Sequence, residues 1–314
     1  MQRRTRFVIA ALLLYAVFCA VAGILVAEMT LHPQRRLLDT DAVDEAEQVA
    51  RRTRSSLRVV SLRTEDNLTL KAWLLEPSFH NGDAVLLLHG LSDNRIGMIG
   101  YAELLLGHGY TVLMPDARAH GQSDGEIATY GLLERRDIHD WEVWLTAKLH
   151  PKCVFGFGES MGAAQLLQSL GGDAIFCAVA AESPFSDLRE VAYDRVGQFF
   201  HTGPWLGRTF LRPVIEIAFP YSRWKYGLEL EQVSPIAVVA ATKIPVLLIH
   251  GQIDSNIPMR HSRRIKSFAP AAVLWEVPSA DHCGAVSAAP EEFKRHVLDW
   301  FSFHILRDRV SVVN

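Results

Sequence analysis

The chain has 314 residues, 49% of them hydrophobic and 21% charged, the balance of a folded globular protein with room for one large domain or two small ones. A net charge of -3 with no basic stripe excludes nucleic acid as an expected partner. The 13 histidines show no paired zinc-ligand spacing and no Cys-x-x-Cys occurs, so no metal site is expected.

Arg3, Arg4 and Arg6 precede residues 7–27, which carry no charge. As a helix that run reaches about 31 Å, enough to cross a bilayer. A signal peptide competes with this reading, because basic residues come first and Ala20-Val21-Ala22 resembles a small-residue cleavage site. The apolar run continues to Ala27, longer than a signal needs, and an uncleaved anchor is preferred. A buried soluble helix is disfavoured because the run has no polar face. Three arginines before the span against Arg35 and Arg36 after it give a thin bias. It places the N-terminus in the cytoplasm and the rest of the chain in the periplasm or outside the cell. The expected division is a basic tail and single-pass transmembrane anchor over residues 1–30, a charged, solvated linker helix over 31–56, and a folded domain over 57–314.

Residues 57–63 and 68–75 are strand-like and flank Thr64-Glu65-Asp66-Asn67, a hairpin signal. Ala84-Val85-Leu86-Leu87-Leu88 is a continuous apolar run, as a strand buried on both faces requires. Further strands are expected over 110–114, 153–157, 177–181, 245–249 and 273–277, with helices over 132–149 and 291–303. This alternation predicts an α/β fold with a mostly parallel sheet covered on both faces by helices. Cys19, Cys153, Cys177 and Cys283 are too few and scattered for a disulfide framework; Cys153 and Cys177 open two strands that could be neighbours, but buried apolar thiols are the expectation. Residues 186–241 break the rhythm with many aromatics, interrupted by Pro204, Pro213 and Pro220. Their length and position suggest a helical cap inserted across the mouth of a site. Lining for an apolar substrate competes there with simple packing onto the sheet.

Gly158-Glu159-Ser160-Met161-Gly162 stands between the 153–157 strand and a helix-forming stretch, the pattern of a nucleophile elbow. The turn is tight enough that Cβ atoms on either side of the serine would collide, and the glycines remove them. A serine hydroxyl needs a base, and the base needs an orienting acid. Asp254 lies just past the 245–249 strand and His282 just past the next one, in the order an elbow-type fold requires. Ser160, Asp254 and His282 are therefore the candidate nucleophile, orienter and base. Asp281 and Asp187 are weaker candidates for the acid, and His261 is expected to point elsewhere. An oxyanion needs two backbone N–H donors. Met161 follows the nucleophile, and Leu91 follows His89-Gly90 at the end of an earlier buried strand. His89 reads as a structural histidine bonded to loop backbone.

Together, His89-Gly90, Asp116-Ala117-Arg118-Ala119-His120-Gly121-Gln122-Ser123, the elbow, Gly251-Gln252-Ile253-Asp254 and Asp281-His282 resemble the α/β-hydrolase superfamily over about residues 57–306. Within it the chain looks like the serine-aminopeptidase-like and prolyl-oligopeptidase-like hydrolases, some of them membrane-tethered. The resemblance implies that residues 116–123 form a structural turn under the site and that 186–241 form a cap. Ala119 departs from the glycine usual in that turn. The expected function is a serine hydrolase that cleaves a small-molecule carboxylic ester or thioester through an acyl-enzyme on Ser160, with no cofactor. A peptidase or amidase acting on short peptides is the alternative, for which Glu216, Glu229 and Glu231 are candidate amine-holding acids. A catalytically silent binding module is the rival from another class.

Overall fold

The computed structural model describes residues 2–203 and 205–311, with side chains through residue 305. A long helix, α1 (Gln2–Leu31), comes first, followed by α2 (Thr40–Arg52) and an antiparallel pair, β1 (Ser55–Arg63) and β2 (Thr69–Pro77). Then come β3 (Ala84–Leu88), α3 (Ile99–Leu106), β4 (Thr111–Pro115), α4 (Glu134–Leu149), β5 (Val154–Glu159), α5 (Ser160–Ser169) and β6 (Ala178–Glu182). The insertion supplies α6 (Leu188–Phe199), α7 (Trp205–Arg208) and α8 (Arg212–Tyr226). The chain closes with α9 (Pro235–Ala241), β7 (Val246–Gly251), α10 (Arg260–Phe268), β8 (Val273–Val277), α11 (Ala285–Ala288) and α12 (Pro290–Ser311).

The eight strands form one sheet in the order β1-β2-β4-β3-β5-β6-β7-β8, antiparallel at β1–β2 and β2–β4 and parallel from there on. Strand alternation explains why the inner strands are apolar throughout. Val85, Leu87, Val112, Met114, Phe155 and Phe157 face one layer, with α2, α3 and α12. Leu86, Leu113, Val154, Val179 and Leu248 face the other, with α4, α5, α9 and α10. Each face is buried, so every second residue must be as apolar as the first. Gly156 is required by this packing, since a Cβ there would come within 2.7 Å of a Leu166 methyl on α5.

Two expectations are corrected. The cysteines that open β5 and β6 are not free thiols: Cys153 and Cys177 form a disulfide across 24 residues, their Cα atoms 5.7 Å apart. Adjacent parallel strands in register bring the pair within bridging distance, a proximity visible only once the strand order is known. The helix in the charged linker is not merely solvated. Asp39 caps α2 by accepting from the Ala42 amide at 2.8 Å, and Ala42, Ala46, Val49 and Ala50 are buried in the core. Its charged face had concealed an apolar stripe at helical spacing. Beyond it, Arg35 donates to the Ser123 and Gly125 carbonyls, both at 2.6 Å, tying the chain before α2 to the loop after β4.

The N-terminal helix and the Leu188–Gln232 insertion form one compact unit, and the rest of the chain a second. The helix is long and apolar enough to cross a membrane. Within its unit, α1 packs along α8. Cys19 is buried against Leu211 and Val214, and Gly23 admits the Val214 carbonyl where a Cβ would stand 2.7 Å away.

Candidate active site

Strand β5 is buried through Gly158 and gives way to α5 within one residue. Ser160 takes φ +51°, a left-handed backbone that costs of order 1–3 kcal/mol in a residue with a side chain. The two glycines make this turn possible. A Cβ on Gly158 would lie 2.6 Å from the Gly162 carbonyl oxygen, and one on Gly162 would fall against the Leu88 and His89 carbonyls. The second glycine thus lets the loop after β3 close onto the start of α5.

The hydroxyl of Ser160 lies 2.8 Å from His282 Nε2. The other ring nitrogen, Nδ1, stands 2.9 and 3.2 Å from the two carboxylate oxygens of Asp254. Asp254 also accepts from the Asn256 and Ile257 amides at 2.9 and 2.8 Å, and His250 Nε2 is 3.3 Å from Oδ2. Burial pushes this carboxyl up, but hydrogen bonds from His250 and His282 outweigh burial and hold it well below the usual carboxylate range. The acid is thus charged and fixed in direction, and it sets the His282 tautomer, since Nδ1 is the ring nitrogen that must carry the hydrogen facing it.

The other sequence candidates lie elsewhere. Asp281 turns its carboxylate to the Ser255 and His282 amides, both at 2.8 Å, and so braces the loop rather than the ring. His261 is buried on α10, its Nδ1 2.9 Å from the Ser186 hydroxyl. Asp187 sits between β6 and α6. His89 donates from Nδ1 to the Gly90 carbonyl at 2.7 Å and accepts from the Ala117 amide at 3.1 Å, both backbone partners. Leu91 lies in the turn after β3 and Met161 in the first turn of α5. Gly90, before Leu91, stands close enough that a Cβ there would be 3.7 Å from Ser160 Cβ. Asp116 accepts from Arg95 Nη2 at 2.7 Å and from the Gln122 amide at 2.7 Å, a fully buried ion pair that shapes the turn over 116–123.

One cluster escaped the sequence reading. Glu159 and Glu182 are register partners at the ends of β5 and β6, and the Tyr101 hydroxyl lies 3.2 Å from a carboxylate oxygen of each. A hydroxyl carries one proton, so it donates to only one of them; the second contact is satisfied when the other carboxyl is protonated. Burial and the neighbouring Glu182 carboxylate push Glu159 up to about 7. Burial pushes Glu182 up to about 7 even though it accepts from the Ala285 amide at 2.9 Å. The Cys283 thiol, next to His282 in sequence, is also pushed up by burial and by these carboxylates. The available signals were a carboxylate inside the elbow and another ending the apolar strand Ala178-Val179-Ala180-Ala181-Glu182.

Such a sheet, elbow and loop order define the alpha/beta hydrolase family, and the chain belongs to it: the family profile matches residues 85–295. Among its relatives are the uncharacterized protein YqkD of Bacillus subtilis, 28% identical over 69% of this chain and 70% of that one, and the uncharacterized protein Rv2307c of Mycobacterium tuberculosis, 30% identical over 72% of each. Among solved structures, the Pyrococcus furiosus esterase Pf2001 superposes with a TM-score of 0.69 and 25% identity, over 88% of this chain and 100% of that one.

Proposed function

We propose that the protein is a serine hydrolase cleaving a carboxylic ester or thioester through an acyl-enzyme on Ser160. The observation that carries this reading is the unbroken hydrogen-bond chain from Ser160 through His282 to Asp254. His282 Nε2 takes the Ser160 proton as Oγ attacks the substrate carbonyl carbon, and Asp254 stabilises the resulting imidazolium. The Leu91 and Met161 amides receive the negative charge on the carbonyl oxygen. As the intermediate collapses, the imidazolium protonates the departing alkoxide or thiolate. Water then attacks the acyl-enzyme, its proton passing to His282 and on to Ser160 as the acid leaves. Each step uses only these groups and water.

Similarity to an esterase at 25% identity supports the ester reading over the peptide one. The insertion acids supply a second argument. Glu216 is already engaged by Arg189, Tyr193 and Arg212, and Glu229 by Arg223, which leaves only the exposed Glu231 to meet a substrate amine. The test is labelling of the purified full chain by a fluorophosphonate. Wild type is expected to label, and Ser160→Ala and His282→Ala are expected to lose labelling, with hydrolysis of p-nitrophenyl esters falling roughly 10⁶-fold in either variant. A folded wild type that does not label would leave the silent binding module as the better reading.

The chain is further proposed to be tethered by α1, N-terminus in the cytoplasm and hydrolase domain outside. The Cys153–Cys177 bridge supports the outside placement, since disulfides persist in oxidising compartments. Alkylation of intact cells under trapping conditions is expected to find both cysteines oxidised; reduced thiols would reverse the orientation.

A further inference from the structure

The anchor helix and the insertion meet along an ordered series of contacts. Tyr15 donates its hydroxyl to the Phe210 carbonyl, Cys19 packs on Leu211 and Val214, and Gly23 admits Val214 and Ile217. Glu28 accepts from the Tyr221 hydroxyl at 2.7 Å, from Lys225 at 2.9 Å and from the Tyr226 hydroxyl at 2.8 Å. Numbers rise together on both helices, so α1 and α8 run parallel. The steps from Tyr15 to Glu28 cover about 20 Å of helix axis. Most of that length lies inside the charge-free run 7–27, and the outer face of α1 stays bare there: Val21 and Leu25 are 54% and 56% exposed.

An insertion held beside this stretch occupies the same depth as the stretch itself. Its surface is suited to that. Phe199, Phe200, Trp205, Phe210 and Trp224 are all exposed, Trp224 at 81% and Phe199 at 77%. Its charges are largely answered within the unit: Arg189 by Glu216, Arg208 by Glu190 and Asp194, Arg223 by Glu229, and Lys225 by Glu28. Paired charges with aromatic rings at the surface are what a protein segment at the lipid interface requires.

We propose that the insertion docks into the lipid bilayer alongside α1, its exposed aromatic side chains seated from the headgroup interface down into the acyl layers that the stretch from Tyr15 to Glu28 spans. Glu28 and its partners mark the polar end, so Trp224 lies near the headgroups. Trp205, whose neighbour Leu206 packs in the cluster around Cys19, lies deeper. This rests on the reading of α1 as a membrane anchor, and the partner is lipid rather than a second protein because the docking surface continues directly from the apolar span.

The full chain is reconstituted in phosphatidylcholine vesicles with acyl chains brominated at positions 6 and 7. Of the 7 tryptophans, only Trp205 and Trp224 belong to this unit. Wild-type emission is expected to be partly quenched relative to unbrominated vesicles. The quenched component should be lost in Trp205→Phe/Trp224→Phe, and Trp205→Phe alone should remove more of it than Trp224→Phe. Extraction by alkaline carbonate is measured in parallel. A chain that stays in the vesicles without quenching, or whose quenching survives the double substitution, overturns the docking alone. Release by carbonate overturns the anchor reading and the docking with it.

Discussion

Ala119 takes φ +63° in the turn over 116–123, where the superfamily usually has glycine. The left-handed backbone drives its Cβ toward the following carbonyl, at about 1–2 kcal/mol. Replacing it with glycine relieves that strain while adding some unfolded-state entropy. Ala119→Gly is expected to stabilise the chain by about 1 kcal/mol, read as an increase in the midpoint of urea unfolding at unchanged slope. Ser160 carries the same kind of strain at φ +51°, and there the strain has a use: it points the hydroxyl at His282. The triad candidates were legible because each lies shortly after a strand, Ser160 at the strand-to-helix turn and Asp254 and His282 in loops, and strand ends can be read from apolar runs. Glu182 was not, because its importance depends on which strand lies beside β5.

At the scale of elements, the disulfide joins the chain at the starts of β5 and β6 and encloses α5 between its two cysteines. Closing a loop of 24 residues removes unfolded-state entropy worth about 3 kcal/mol. Cys153→Ala is accordingly expected to lower the unfolding free energy by about that amount under non-reducing conditions, and to make stability insensitive to added reductant. A wild type equally stable in reductant would mean the bridge does not form. Strand positions were readable from apolar runs to within two residues at either end, whereas the closing helix α12 runs on to Ser311, well past the expected end at 303, and α3 was not anticipated. The buried stripe of α2 was obscured by its charged face, since small alanines signal burial weakly.

For the molecule as a whole, the buried carboxyl pair sets a pH dependence whose sign follows from linkage. Glu182 is pushed up to about 7 by burial in the folded chain, while in the unfolded chain it titrates as an ordinary glutamate. Between those values the folded state binds more protons, so its stability falls as pH rises through that window. Glu182→Gln keeps an oxygen for the Ala285 amide but removes the ionisation. Relative to wild type it is expected to be nearly neutral at pH 4.5 and more stable by roughly 3 kcal/mol at pH 8, measured by unfolding at both pH values. A difference independent of pH would show that the carboxyl ionises as easily folded as unfolded.

The sequence by itself determined the class of fold, the succession of strands along the chain, the long apolar helix at the start, and the three residues that meet at Ser160. Each of these is written in local patterns: periodicity, glycine at a tight turn, and a polar residue just past a strand. Only the tertiary structure decided that Cys153 joins Cys177, that Glu159 faces Glu182 over one tyrosine hydroxyl, and that the N-terminal helix shares a unit with an insertion more than 150 residues away. These depend on which strands and helices become neighbours, and neighbourhood is settled by packing the whole chain at once rather than by any one stretch of it.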